Sequence, residues 1–202
     1  MKLYFSPGAC SLSPHIVARE AGIPLELERV DGRTKKTASG RDFWAINPKG
    51  YVPALELDDG QILTEGPAIV QYLADVAKSD LVPPAGTLAR ARLQEMLGYI
   101  NSELHKSFSP LFAPGTPPEV REERVAYLRK RYALVEEVLA STPYLLGESF
   151  SVADAYLFTV TRWASFVKLD LSELSHLAAF EERVSERPHV QEALRAEGLL
   201  RS

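Results

Sequence analysis

A single cysteine occurs in this chain of 202 residues, and its surroundings make it the first candidate for chemistry. Cys10 follows Lys2-Leu-Tyr-Phe-Ser and Pro7-Gly8-Ala9 and precedes Ser11-Leu-Ser-Pro-His15-Ile-Val, so it falls where a strand gives way to a helix. Unpaired N–H groups and the positive end of the macrodipole favour an anion at a helix start, which predicts a thiol shifted toward thiolate. A lone cysteine also reads as a small buried hydrophobe. Ala9 precedes Cys10 and Ser13 stands three residues after it, so the two-cysteine redox motif is absent. Disulfide chemistry at Cys10 then needs a second thiol from outside the chain, and glutathione is the abundant one in reducing compartments.

Two further segments suit an anionic, peptide-like ligand. Gly50-Tyr-Val52-Pro53-Ala-Leu places a proline at the start of a strand, where a cis X–Pro bond makes a tight turn and turns the backbone of Val52 toward a ligand strand. Thr64-Glu65-Gly66-Pro67-Ala68-Ile69 opens a helix, with Gly66 permitting close approach and Pro67 suited to the first turn. Such an N-terminus binds carboxylates while Glu65 holds an ammonium group, although Gly66-Pro67 also reads as a simple turn. A third segment brings Gly98, Ser102 and His105 onto one small, polar helix face, where His105 is either a core histidine or a cleft-facing one.

The elements that must position these residues change character along the chain. Strands are expected near Lys2–Phe5, Leu25–Val30, Ala54–Leu57 and Ile62–Leu63, with helices near Ser11–Ala21, Arg41–Ile46 and Pro67–Val76. Asp58-Asp59-Gly60 supplies a hairpin turn. Lys78-Ser-Asp-Leu-Val-Pro-Pro-Ala-Gly86 breaks every periodicity, which predicts an α/β domain over residues 1–77, a linker over 78–86 and an all-helical domain over 87–202. Leu93, Met96, Leu97, Ile100 and Leu104 form the apolar face of a long helix, and Thr116-Pro-Pro-Glu119 reads as a capping box launching another. Ser151-Val-Ala-Asp154 is a second helix-start signature, ahead of a segment apolar nearly all round. Asp154 therefore reads as a structural cap.

Composition narrows the partners. Hydrophobic residues make up 46% and charged residues 25% of the chain, ordinary for a globular protein with a sizeable core. Lys and Arg number 23 against 27 Asp and Glu, a net charge of −4, so no global basic field draws the chain to nucleic acid or an anionic membrane. No apolar run approaches the ~20 residues of a membrane span, and Met1-Lys2-Leu3 leads straight into a strand pattern, which predicts a cytoplasmic protein.

The ordered set Tyr4-Phe-Ser-Pro-Gly-Ala-Cys10-Ser-Leu-Ser-Pro-His, Asn47-Pro-Lys-Gly-Tyr-Val52-Pro53, Leu63-Thr-Glu65-Gly66, Glu103-Leu-His105-Lys106 and Ser151-Val-Ala-Asp154-Ala-Tyr-Leu-Phe resembles the bacterial beta-class cytosolic glutathione S-transferases. The resemblance spans essentially the whole chain. It implies a thioredoxin-like α/β N-terminal domain, an all-α C-terminal domain, a homodimer and bound glutathione as co-substrate. Cys10 resembles the class cysteine beside the glutathione sulfur, and His105 the histidine that approaches the same sulfur. Val52 looks like the residue that pairs with the cysteinyl backbone of glutathione, Pro53 like the family's cis-proline, and Glu65 with Gly66 like the grip on the γ-glutamyl end. Lys35, Ser102, Glu103 and Lys106 fall at or near other contact positions, although surface lysines commonly serve solubility alone. The resemblance assigns no role to His15, His176 or His189, and gives Phe108, Phe112 and Trp163 a place in an acceptor pocket. Three departures stand out. The first strand ends Tyr4-Phe5, leaving Tyr4 as its only phenol; Gly98 replaces a frequent asparagine; and Ala9 leaves Ser11 as the hydroxyl nearest the cysteine.

The implied activity is transfer of the glutathione thiolate to a small hydrophobic electrophile. One alternative is thiol–disulfide exchange or reductive dehalogenation with Cys10 as the nucleophile. Another is a non-catalytic carrier of apolar ligands or a regulatory interaction protein on the same fold.

Overall fold

The computed structural model describes residues 1–200, which fall into two compact units. The first comprises Met1–Val82 together with the segment from Glu186 onward, and the second is Pro83–Ser185.

The first unit is a four-stranded sheet flanked by helices. Its elements are β1 (Lys2–Phe5), α1 (Leu12–Glu20), β2 (Glu26–Arg29), α2 (Phe43–Ile46), β3 (Ala54–Glu56), β4 (Ile62–Thr64) and α3 (Gly66–Val76). Strand order is β2-β1-β3-β4, with β1 parallel to β2 and antiparallel to β3, and β3 antiparallel to β4. Tyr4 pairs with both Glu28 and Ala54, so β1 is an interior strand, and its C-terminal end delivers the chain to Cys10. Leu3, Leu12, Ile16, Leu55, Ile69 and Leu73 are fully buried, with α1 packed against α3 and α3 against β4.

The last helix of the chain, α10 (Pro188–Ala196), belongs to this unit and packs on α1, burying Val190, Ala193 and Leu194. The helical domain expected over 87–202 thus loses its final segment to the N-terminal unit. The cause is polar as well as apolar. Glu197, 6% exposed, meets Nδ1 of buried His15 at 2.9 Å and accepts from the Gly8 N–H at 2.9 Å, while Arg187 donates to both carboxylate oxygens of Glu20 at 2.7 Å. Periodicity reports the helix but not the neighbour it packs against.

The second unit is helical: α4 (Leu88–Tyr99), a π-helical turn over Ile100–His105, α5 (Lys106–Phe112), α6 (Pro118–Leu139), α7 (Val152–Thr161), α8 (Trp163–Val167) and α9 (Ser175–Ser185). Every residue of α7 is buried, as its all-round apolar pattern predicts. Its start is closed by Asp154, which accepts from the Ser151 N–H (2.8 Å), the Ser151 hydroxyl (2.6 Å) and the Leu145 N–H (2.8 Å). The capping box read at Thr116 is not formed. Pro117 takes the cap position, and the Thr116 hydroxyl turns back to donate to the Pro110 and Ala113 carbonyls at 2.6 and 3.1 Å. Pro117 and Pro118 have no N–H to offer, so the hydroxyl satisfies the carbonyl end of α5 instead. Among the described residues no helix is long and apolar enough to cross a membrane.

Candidate active site

In the first unit Cys10 sits in the turn between β1 and α1, half-buried, with its Sγ donating to the Val52 carbonyl at 3.2 Å. The turn is closed by Ser11, whose fully buried hydroxyl accepts from the Ser6 N–H and donates to the Ser6 carbonyl, both at 3.2 Å. Ser11 is therefore spent on holding the loop. On its other side the loop is held by the Glu197 carboxylate at Gly8.

Burial pushes the Cys10 thiol from 9.0 up to about 12. The N–H groups of Cys10 and Ser11 pull it down and the charge of Glu65 pushes it further up. This corrects the thiolate expected from position alone. The helix-start donors are present, but desolvation of the anion outweighs them. The group is a protonated S–H donor near neutrality.

The Val52–Pro53 bond is cis, and Val52 lies on a loop knit together by one buried side chain. Asn47 donates from Nδ2 to the Tyr51 carbonyl at 2.8 Å and accepts the Lys49 N–H on Oδ1 at 3.1 Å. Gly50 adopts φ +70, and a Cβ there would lie 2.2 Å from the Trp44 ring, so glycine is the residue the loop requires. The loop carries two groups that sequence reasoning missed. Lys49 Nζ and the Tyr51 hydroxyl both donate to Glu65 Oε1, at 2.5 and 3.0 Å, and Lys49 also reaches Thr64 Oγ1 at 2.9 Å. The carboxylate raises the Lys49 pKa, and burial followed by the Glu65 hydrogen bond raises that of Tyr51.

Glu65 itself is exposed and adopts φ +72, a left-handed conformation that costs a non-glycine residue about 1–3 kcal/mol and concentrates at functional sites. It ends β4 and starts α3, where nothing lies within 4 Å of a Cβ built on Gly66. The result is an anion-favouring helix start with a carboxylate and an ammonium group side by side, suited to a zwitterionic α-amino acid end. Cys10, Val52, Pro53, Glu65 and Gly66 are thus brought together. Lys35 is not joined to them by any hydrogen bond among the described residues; it lies on the β2–α2 loop at φ +55, its carbonyl accepting the Phe43 N–H at 2.8 Å. Tyr4 is excluded from the site. Its hydroxyl donates to Glu56 at 2.5 Å and accepts from Arg41 at 3.0 Å, and its ring packs with Val30, Phe43 and Ala54. Burial pushes its pKa up to about 12.

In the second unit the π-helical turn Ile100–His105 carries Ser102, Glu103 and His105, with exposed Lys106 opening α5. His105 Nδ1 is 2.5 Å from the Tyr156 hydroxyl, which donates to Asn101 Oδ1 at 2.9 Å. The Trp163 ring meets the His105 ring edge-on at 4.8 Å between centroids, and Phe108 and Phe112 stand 5.6 and 5.7 Å from Trp163. Phe112 is 48% exposed while Phe108 and Trp163 are buried, so these aromatics form a wall that reaches the surface beside a histidine. Glu103 faces α6. It accepts from the Tyr127 hydroxyl at 2.5 Å and pairs with Arg131 at 2.9 Å, and these partners, Tyr127 first, lower its pKa. Ser102 Oγ is 3.4 Å from the same carboxylate.

Two family models match the sequence: the glutathione S-transferase N-terminal domain over residues 8–76 and the glutathione S-transferase C-terminal domain over residues 99–188. Glutathione S-transferase GstA of Escherichia coli O157:H7 is 52% identical over 200 residues, covering 98% of this chain and 100% of that one. The chain belongs to the glutathione S-transferase family. Its structural relatives include BphK, a bacterial transferase solved as a ternary complex, at 56% identity and a TM-score of 0.97, covering 98% of this chain and 100% of that one. The bacterial beta-class transferase of Sphingomonas chungbukensis matches at 44% identity and a TM-score of 0.95, covering 99% of this chain and 100% of that one.

Within this family frame, four of the polar groups found here escaped the sequence reading: Lys49, Tyr51, Asn101 and Tyr156. Lys49 and Tyr51 lie within the Asn47–Pro53 motif, but only their hydrogen bonds to Glu65 set them apart from surface residues. Tyr156 was hidden in an apolar helix, where a buried phenol needs a polar partner and so signals one.

Proposed function

We propose that this transferase joins the thiol of glutathione to small apolar electrophiles, with Cys10 acting as a neutral donor to the sulfur rather than as the nucleophile. The geometry that supports this reading is the Cys10 Sγ, which burial pushes up to about 12 and whose one proton, given to the Val52 carbonyl at 3.2 Å, would turn to the glutathione sulfur on binding. A thiol of that kind donates a hydrogen bond to a thiolate and attacks nothing at neutral pH.

Glutathione would bind with its γ-glutamyl end at the start of α3. Glu65 takes its ammonium group, and the Gly66 helix start with Lys49 takes its carboxylate. The Val52 backbone beside cis-Pro53 pairs with its cysteinyl segment. His105 accepts the thiol proton, and the wall of Phe108, Phe112 and Trp163 receives the electrophile. Lys35, Ser102, Glu103 and Lys106 are further contacts in this reading. The thiol S–H bond breaks as a proton passes to His105. The sulfur lone pair then forms the S–C bond, a halide leaves with its electron pair, and the imidazolium returns the proton to solvent.

A homodimer of cytoplasmic location completes the proposal and rests on the family pattern. The test is turnover of glutathione with 1-chloro-2,4-dinitrobenzene. The Cys10→Ala variant is expected to retain conjugation within about tenfold, and His105→Gln to lose about 10²-fold in kcat, the lower end of a general base's contribution. Loss of conjugation in Cys10→Ala with normal glutathione binding would transfer the nucleophile's role to Cys10.

A further inference from the structure

The direction of one hydrogen-bond chain in the second unit specifies more than the presence of a histidine. Tyr156 lies on α7, 1% exposed, and its hydroxyl touches both Asn101 Oδ1 at 2.9 Å and His105 Nδ1 at 2.5 Å. A phenol has a single proton to give, and an amide oxygen only accepts. With that proton directed at Asn101, the contact to His105 has to be donated by the imidazole itself, from Nδ1–H. In the neutral ring the lone pair then resides on Nε2.

We propose that Tyr156, oriented by Asn101, is a positioning residue of the transferase that holds His105 as its Nδ1–H tautomer and so makes Nε2 the proton acceptor. The arrangement follows from local structure. Asn101 and His105 are four residues apart on the π-helical turn, so both reach a single hydroxyl from one face. That turn interrupts a run of α-helix, as π-turns at functional sites do. The ring is kept from rotating by the edge-on contacts of Tyr156 and Trp163, at 5.8 and 4.8 Å between centroids. Once Nε2 takes a proton, the ring becomes an imidazolium whose Nδ1–H bond to the phenol oxygen is charge-assisted and stronger. Tyr156 therefore favours the state that follows proton transfer as well as the tautomer that precedes it. Had the chain run the other way, with Asn101 donating to Tyr156 and Tyr156 to Nδ1, the neutral ring would carry its proton on Nε2 and have no lone pair to offer there.

The proposal rests on His105 being the base, and the experiment separates the two. Full-length protein labelled with 15N-histidine is examined by side-chain NMR, with His105→Gln assigning the His105 signals. Wild type is expected to show a protonated Nδ1 and an unprotonated Nε2 at pH 8. Tyr156→Phe keeps the ring and deletes the hydroxyl. It should move the signals toward the Nε2–H form, lower kcat about tenfold and leave the KM for glutathione unchanged. Asn101 is exposed, so its variants leave the core untouched. Asn101→Ala frees the Tyr156 proton to turn toward Nδ1 and should reproduce the Tyr156→Phe spectrum, whereas Asn101→Asp keeps the acceptor and should retain the wild-type one. An Nε2–H tautomer in wild type, or an unchanged tautomer and kcat in both Tyr156→Phe and Asn101→Ala, overturns the proposal. Full activity in His105→Gln overturns the base assignment alone, and the NMR result then still decides the tautomer.

Discussion

The raised Cys10 thiol makes a prediction that can be followed through in numbers. Three pKa units separate 9.0 from about 12, equivalent to about 4 kcal/mol against forming the anion. At pH 8 an ordinary thiol is roughly one tenth thiolate, whereas one of pKa 12 is thiolate at about one part in ten thousand, so alkylation should run roughly a thousandfold slower. Iodoacetamide labelling followed by intact mass is a direct assay, because the chain has one cysteine and takes one label. The logarithm of the rate should climb by one per pH unit up to pH 10.5 without levelling off, while the urea-unfolded chain levels off near its ordinary pKa. Poor access would slow both limbs without moving the break, so the shape of the profile reports ionisation and its height reports exposure. Glu65→Gln removes a negative charge that pushes the thiol up and keeps an oxygen for Lys49 and Tyr51, so it should raise the alkylation rate at each pH on the climbing limb. A plateau below pH 8 in the folded protein would mean that the helix-start donors win over burial. The neutral-donor role of Cys10 would then fall.

Other outcomes follow from the same geometry. Asp154→Ala strands three buried donors and should cost about 3 kcal/mol or more, above the 0.5–2 of an exposed cap, as read from urea midpoints. Burial also pushes Asp154 from 3.8 up to about 6, so its contribution is full below pH 4 and is lost as pH rises through 6; wild type minus Asp154→Asn should show this decline, of about 3 kcal/mol. Glu197→Leu removes the carboxylate shared by His15 and Gly8 and should lower stability by about 3 kcal/mol and speed Cys10 alkylation, because the loop loses its tie at Gly8. Light scattering should give twice the 22.4 kDa chain mass at micromolar concentration; a monomer mass would refute the dimer.

Much of this protein was legible in its residues because the signals are local. Proline and glycine at 7–8 and the apolar spacing of Leu12, Ile16 and Val17 mark the turn into α1, and the structure starts that helix at Leu12. Asp58-Asp59-Gly60 marks the β3–β4 hairpin, and Ser151 with Asp154 marks the start of α7, all with steric or hydrogen-bonding causes confined to a few residues. The ordered motifs then carried family and activity. What tertiary structure decided are the quantities that depend on surroundings. Position favours a Cys10 thiolate, but the balance between two backbone donors and the loss of water is set by the tertiary surroundings that bury the sulfur beside the Val52 carbonyl. Tyr4 reads as a candidate phenol until Glu56 and Arg41 claim its hydroxyl. Glu197, at the far end of the chain, reveals its purpose only when α10 folds onto α1 and brings it to Gly8, since nothing in a sequence encodes the distance between residues 8 and 197 except the packing that closes it.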